Sequence, residues 1–289
     1  MTSPRINAVI YALLAALFYG FSIPFSKPLL QTLSPVLLAS LLYMGAGLGV
    51  WILRGFRRPQ SMAPVTSNER TAMIGMVILD VLAPILLLIG LATSPAASAS
   101  LLNNFEIVAT TLLAMTLFKE QVHPQIRWAI GIMTLSSVLL SVDDWSSLHF
   151  SIGSLFIIGA TLTWGLENNL TRQLSHRDPL QIVVIKGLGS GLTSLGLAAV
   201  LGWGTPSLWS IILALCLGFV AYGLSIALYV RAQRDLGASK TSAYYAVAPF
   251  VGMVLGWILF DDALALSFWI ALGLMILGTL LLIRHELKS

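Results

Sequence analysis

The chain has 289 residues, of which 57% are hydrophobic and only 10% charged, with a mean hydropathy of +0.89; a soluble domain carries about 25% charged residues. This composition excludes a soluble globular protein, and the formal charge of +4 comes without the basic, aromatic-interleaved patch that nucleic-acid binding requires. A single cysteine, Cys216, excludes a disulfide framework or a cysteine metal cluster and is expected to pack within an apolar run.

A helix that spans a bilayer needs about 20 predominantly apolar residues. Ten such runs follow one another, at approximately 6–26, 35–53, 72–91, 96–118, 126–142, 150–171, 180–201, 207–230, 237–259 and 267–283. The first starts just after Arg5 and imitates a secretory signal, but it reaches Lys27 without a small-residue cleavage site and further spans follow at once. It reads as the first helix. Between the second and third runs, Arg54 to Thr71 is the longest polar interval and reads as a loop. The third run holds Asp80, with Met73, Met76 and Pro84 on its face. In the fourth, Asn103, Glu106 and Thr110 recur at three and four residues and form one polar stripe on a helix. The sixth run holds Trp164 and Glu167, the seventh Lys186, the eighth Tyr222, Ser225 and Tyr229, and the ninth Tyr245.

Basic loops stay cytoplasmic. Of the 16 Lys and Arg residues, all but Lys27 and Lys186 fall at the chain termini and in alternate loops, beginning with Arg5, Arg54, Arg57, Arg58 and Arg70 and ending with Arg284 and Lys288. The intervening loops carry no Lys or Arg, but two acidic pairs, Asp143–Asp144 and Asp261–Asp262. Both termini are therefore expected in the cytoplasm.

The two halves of the chain resemble each other. A shift of 142 lays FKEQVHPQIRWAIGIMTLSSVLL (118–140) on FDDALALSFWIALGLMILGTLLL (260–282) without a gap, pairing Phe118 with Phe260 and Gly131 with Gly273. A shift of 145 lays FYGFSIPFSKPLL (18–30) on TWGLENNLTRQLS (163–175), pairing Tyr19 with Trp164, Gly20 with Gly165 and Lys27 with Arg172. Each half has five spans, and an odd number turns the second half upside down relative to the first. The expected fold is an all-α integral membrane protein of ten transmembrane helices in two inverted five-helix repeats, 1–145 and 146–289.

These motifs resemble the EamA type of the drug/metabolite transporter superfamily, in which each half has an aromatic–Gly pair in its first helix, a basic residue after it, and a Glu–Pro pair in its fourth. The matching residues here are Tyr19–Gly20 with Lys27 and Trp164–Gly165 with Arg172, then Glu106 in the first half and Pro249 in the second. The chain departs from the pattern at Ile107, in place of the proline, at Ala248, in place of the glutamate, and at Asp261–Asp262, in place of a common glutamate. The resemblance implies transport of a small solute by alternating access, through a central cavity lined by helices 1, 3, 4, 6, 8 and 9, with helices 2, 5, 7 and 10 mostly outside it. Relatives of this kind carry amino acids, purines, sugars, nucleotide sugars and cationic drugs. Export from the cell, across the inner membrane of a bacterium, follows from the resemblance alone.

A charge at the bilayer centre costs about 2.5–3.5 kcal/mol on insertion scales, so Asp80, Glu106, Glu167 and Lys186 must face protein or a water-filled cavity. Glu167 and Lys186 lie at similar depth, which permits either an ion pair fixing helix 6 to helix 7 or a gate at the substrate site, with Lys27 as another gate candidate. Asp80, Asn103, Glu106 and Thr110 are expected to line the cavity, as are Trp164, Tyr222, Ser225, Tyr229 and Tyr245; the alternative for the aromatics is packing between helices. Carboxylates on one wall and aromatic faces with hydroxyls on the other suit an ammonium group on an apolar or aromatic body. The reading is an exporter of amino acids, with aromatic or bulky neutral ones favoured. Its competitors are a nucleotide-sugar or sugar-phosphate carrier, for which Lys27 and Lys186 would have to hold the phosphate, a cationic-drug carrier, and, from other classes, an intramembrane enzyme or a scaffold. No span carries a His-based metal set or a nucleophile beside a base. The expected partners are a small-molecule substrate and the lipid bilayer, with no nucleic acid and no cofactor.

Overall fold

The computed structural model describes residues 4–55, 66–117, 119, 122–144, 149–174, 177–236, 241, 244–261 and 264–288. They form ten helical rods. The first is α1 (Pro4–Gly20) with α2 (Ser22–Leu29), followed by α3 (Pro35–Gly55) and α4 (Ser67–Thr93). The fourth is α5 (Ala96–Leu102) with α6 (Phe105–Thr116), the fifth α7 (Pro124–Ser141), the sixth α8 (Ile152–Arg172) and the seventh α9 (Pro179–Leu201). The eighth joins α10 (Leu208–Gly218) to α11 (Ser225–Leu236) through a π-helical turn, Phe219–Leu224. The ninth contains α12 (Ala248–Phe260), and the last is α13 (Leu266–Lys288). Between the halves, β1 (Val142–Asp144) pairs antiparallel with β2 (His149–Phe150), a small exception to the all-α expectation. The expected boundary at 145/146 lies outside the described residues, as do Arg57, Arg58 and Asp262.

Local chemistry sets the helix ends. The Thr66 hydroxyl accepts from the Glu69 N–H while the Glu69 carboxylate accepts from the Thr66 N–H, so α4 starts inside the interval read as a loop. Ser151, Asp178 and Ser207 accept from the first-turn N–H groups of α8, α9 and α10. Arg177 grips the Glu69 carboxylate with two bonds of 2.8 and 2.9 Å, and Arg54 meets Asp178 at 3.4 Å, which ties the ends of α3, α4, α8 and α9 together.

Six of the rods are long and apolar enough by themselves to cross a membrane, Ile6–Leu29, Pro35–Gly55, Glu69–Thr93, Leu180–Leu201, Leu208–Ala232 and Leu266–Arg284. The bundle's outer surface is apolar. Trp51, Trp128, Trp203, Trp209, Trp257 and Trp269 are all exposed, the placement of tryptophan at a lipid interface, and among the described residues only Trp164 is buried. Cys216 is also exposed, on the apolar surface of α10, rather than packed inside.

The principal contacts join the halves. The pairs are α3 with α9, α4 with α8, α7 with α13, α1 with α11, and the α5–α6 rod with α12. Exchanging each rod for the one five places along leaves this pattern unchanged. The partners run antiparallel: Ser40 donates to the Gly191 carbonyl while Arg54 meets Asp178, and Ser136 donates to the Ala271 carbonyl while Gln125 donates to that of Leu281. Among the described residues the two non-glycine positions with positive φ, Lys119 (55°) and Asp261 (48°), stand 142 positions apart, the same shift that lays one half on the other in sequence.

The α3/α9 crossing depends on glycine. A Cβ on Gly47 would lie 2.7 Å from the Leu188 nitrogen, and one on Gly187 would lie 2.8 Å from the Tyr43 carbonyl oxygen. The backbones touch there. Gly131 and Gly273, which mark the repeat in sequence, have nothing within 4 Å of a Cβ. The triplets Gly45, Gly47, Gly49 and Gly187, Gly189, Gly191 repeat at the same 142-residue shift and are the ones that carry packing. Gly187→Val is expected to overpack this crossing by about 1–3 kcal/mol and lower the thermal midpoint in detergent, with Gly131→Val unchanged; equal midpoints for the two variants would remove the crossing as a determinant of stability.

Candidate functional site

A cavity of about 590 Å3 lies at the centre of the bundle, in the half nearer the Arg54 and Arg177 end. Position along each rod defines this half, because the lining residues Glu167, Asn168 and Thr171 fall in the last turns of α8, and Val183 and Lys186 in the first turns of α9. The other half is packed shut. Ser22, Ile23, Ser26 and Leu29 of α2 are buried, Thr32 and Ser210 share a hydrogen bond of 2.9 Å, and Leu33 pairs with Gly204. Lys27 belongs to this closure: its Nζ donates to the Ser94 carbonyl at the end of α4 and lies 5.7 Å from the centre of the Phe260 ring. It does not line the cavity. Arg172, its counterpart in sequence, has its side chain outside the described set.

Three charged side chains form one buried cluster. Lys186 Nζ stands 2.9 Å from Glu167 Oε1 and 3.3 Å from Asp80 Oδ2, and both carboxylates are only 1% exposed. The Tyr43 hydroxyl donates to Asp80 Oδ1 at 3.0 Å and accepts from Trp164 Nε1 at 3.3 Å, while the Thr171 hydroxyl donates to Glu167 Oε1. The ion pair, one of the two alternatives for Glu167 and Lys186, is present. Asp80, expected only to line the cavity, joins it, because Lys186 is long enough to reach between α9 and α4.

Glu106 stands apart from that cluster. Its Oε1 accepts from Asn168 Nδ2 at 2.8 Å, and Asn168 also donates to the Thr110 hydroxyl at 3.2 Å, so the stripe expected on the fourth span is recognised by α8. Among the described residues no Lys, Arg or His comes within salt-bridge distance of Glu106. The stripe is not on one continuous helix. At Asn103 and Asn104 the rod tightens to i→i+3 hydrogen bonds, Glu106 N–H to Asn103 and Ile107 N–H to Asn104, before α6 begins. Asn103 donates to the Tyr19 hydroxyl at 3.4 Å, and Asn104 to the Thr279 hydroxyl at 3.3 Å. A matching interruption occurs at Ala246 and Val247, where Pro249 in the first turn of α12 supplies no N–H.

The aromatic residues form a connected series. Ring centres of Tyr43 and Tyr222 are 5.8 Å apart, Tyr222 and Tyr19 5.8 Å, Tyr19 and Tyr245 5.6 Å, and Tyr245 and Tyr229 5.1 Å. The aromatic–Gly motifs explain the close approach. A Cβ on Gly20 would lie 2.8 Å from Val251 of α12, and one on Gly165 would lie 2.8 Å from Ala109 of α6, so each motif glycine seats its aromatic neighbour against the interrupted rod of the other half.

Eight of the nine residues expected to line the cavity do so: Asp80, Asn103, Glu106, Thr110, Trp164, Tyr222, Tyr229 and Tyr245. Ser225 does not. It is fully buried, donating to the Ala15 carbonyl at 2.8 Å and bonded to the Tyr245 hydroxyl at 3.2 Å, because the π-turn after Gly218 shifts the face that follows Tyr222. Of the rods expected to stand mostly outside, the second, seventh and tenth contribute to the lining, with Tyr43 and Ala46 of α3, Val183, Lys186 and Gly187 of α9 and Leu282 of α13. Sequence reasoning missed Tyr43, Tyr19 and Asn168. Tyr19 was visible in its motif, and Asn168 follows Glu167 directly, but Tyr43 sits in an apolar run whose polar neighbour at helical spacing, Ser40, bonds to Gly191 and not into the cavity.

The profile of the EamA-like transporter family matches the chain twice, at residues 6–142 and 151–284. An "uncharacterized transporter" of Methanothermobacter thermautotrophicus is 26% identical over 96% of this chain and 86% of its own length. The permease-like protein YdzE of Bacillus subtilis is 33% identical over 25% of this chain and 94% of its own. One solved crystal structure shares the fold across 99% of this chain and 100% of its own, with a TM-score of 0.67 at 17% identity. The two profile matches cover nearly the whole sequence, so the chain belongs to the EamA-like transporter family and is a multi-pass membrane transporter.

Proposed function

We propose that this transporter exports small amine-bearing metabolites, namely amino acids with aromatic or bulky neutral side chains and their decarboxylated relatives, by alternating access through the central cavity. One observation carries the reading: the Glu106 carboxylate is held by the neutral amide of Asn168 and faces a series of tyrosines, a combination that suits an ammonium group on an apolar body. The nucleotide-sugar reading loses its support, because Lys27 lies in the closed half and Lys186 already serves two carboxylates. The Asp80–Lys186–Glu167 cluster then acts as a lock between α4, α8 and α9.

The same proposal makes the halves inverted repeats, 1–145 and 146–289, with both termini in the cytoplasm of a bacterial inner membrane. The antiparallel cross-half pairs and the alternation of basic loops support it. The cavity then faces the cytoplasm, the side from which an exporter loads. Labels at Lys119 are expected to react only from the cytoplasm and labels at Asp261 only from outside. The reverse pattern would overturn the orientation and the direction of transport with it.

Glu106→Gln keeps the shape of the side chain and removes its charge. A hydrogen bond to a charged group contributes about 1.5–3 kcal/mol, so initial-rate flux per folded protein is expected to fall roughly 10- to 100-fold; normal flux would place the substrate elsewhere. For the lock, Lys186→Met leaves two buried carboxylates unpaired and is expected to cost about 3–5 kcal/mol of stability. Adding Asp80→Asn and Glu167→Gln to it should restore the folded yield, and a triple variant as unstable as the single one would refute the lock.

A further inference from the structure

The polar atoms of the cavity are divided unevenly between donors and acceptors. Among the described residues its lining carries three carboxylates, Asp80, Glu106 and Glu167, against one ammonium, Lys186, and that ammonium is shared by two of them. Several of the neutral donors are also committed, Asn168 to Glu106 and Thr110, Trp164 to Tyr43, Tyr43 to Asp80 and Asn103 to Tyr19, which leaves hydroxyls such as those of Tyr19 and Thr110 as the uncharged donors. Interrupted rods in membrane proteins often present N–H groups to a substrate carboxylate. Here the N–H groups of Glu106 and Ile107 donate to the Asn103 and Asn104 carbonyls, those of Phe250 and Val251 donate to the Val247 carbonyl, and Pro249 has none. Acceptors remain available. Oδ1 of Asn103 and Oδ1 of Asn104 are buried without a hydrogen-bond partner, and both residues line the cavity.

We infer that the site selects organic monocations, primary amines with an apolar or aromatic body whose carboxylate is absent or masked, over the corresponding zwitterionic amino acids. The inference rests on the function proposed above and narrows its substrate. An ammonium group has three donors and no acceptor, the complement of what the cavity offers. It meets the Glu106 carboxylate, with Asn103 Oδ1 one turn away on the same rod, and the body lies against the Tyr19, Tyr222 and Tyr245 rings. A zwitterion would bring a carboxylate into the same space, where among the described residues it meets three like charges, no unpaired cation and only neutral hydroxyl donors. Burying a charge without a counter-charge is costly in proportion to its desolvation.

The test compares three ligands with one ring and one amine. Equilibrium binding of phenethylamine, phenylalanine methyl ester and phenylalanine to the full-length protein in lipid nanodiscs avoids the passive leak of amines through liposomes. Phenethylamine and the ester are expected to bind about tenfold or more tightly than phenylalanine, and Glu106→Gln to abolish most of that difference. Phenylalanine binding as tightly as the amine would overturn the selectivity and leave the proposed transport of amine metabolites standing. Binding of none of the three would overturn both. Tight binding of the amine but not the ester would also overturn the inference, because it would show that bulk at the α-carbon, and not charge, is being rejected.

Discussion

Lys186 holds two buried carboxylates from two other rods, and the arrangement of the cavity depends on that contact. In a low-dielectric interior none of the three groups is tolerable alone, and together they are tolerable only where α4, α8 and α9 stand at one separation. Tyr43 extends the constraint to α3 by donating to Asp80, and Trp164 holds Tyr43 by donating to its hydroxyl. The contact is reinforced at the same depth by the α3/α9 crossing, where Gly47 and Gly187 let two backbones meet one residue from Lys186. Glu106 is left outside this network, with a neutral partner, because its own rod is interrupted just before it and turns the carboxylate toward α8.

The interruptions serve packing and chemistry together. Irregular backbone inside a membrane is tolerated only where it is buried in protein or lines a cavity, and both interrupted rods line this one. The means differ between halves. In the second, Pro249 removes a donor and helix α12 restarts around it. In the first, where Ile107 stands instead of proline, the i→i+3 bonds fall at paired asparagines whose side chains reach Tyr19 and Thr279 on other rods. The same geometry is therefore reached from unrelated residues, and the Asn pair adds polar atoms to the cavity that proline would not.

Much of this was legible in sequence, and the failures have physical causes. Ten apolar runs and their order were readable because bilayer thickness fixes a length scale, and the polar stripe was readable because helical periodicity survives a single tight turn. Glu167 and Lys186 could be paired from depth alone. Asp80 could not be assigned to them, since the reach of a lysine side chain across two neighbouring rods is a property of packing. Ser225 was misplaced for a related reason: one π-turn adds a residue to the helix and turns the position directly after it toward α1, and a run of Phe, Val, Ala, Tyr and Gly gives no warning. Tyr43 was unreadable because its partner, Asp80, lies 37 residues away on another rod. The capping box at Thr66 and Glu69 and the glycine triplets were available and carried more of the packing than the Gly131/Gly273 match did.

The residues that meet at the bundle centre are the ones that the two halves exchange. Under the sequence shifts, Tyr19 corresponds to Trp164, Asp80 to Tyr222 and Asn103 to Tyr245, and all six line the cavity. Under the alternating access proposed above, positions near the axis relating the halves would keep their neighbours as the conformation changes, whereas positions far along the rods, such as Thr171 and Leu282, would line the cavity only while that end is open. The pattern of cross-half contacts is symmetric, but each exchanged pair is chemically unlike: acid against phenol, amide against phenol, phenol against indole. Symmetric chemistry would give two equivalent half-sites facing one another, suited to a symmetric ligand or to none. For the proposed transporter the contrast would give a single site with a charged wall and an aromatic wall, able to hold one oriented substrate without rebuilding the contacts that recognise it.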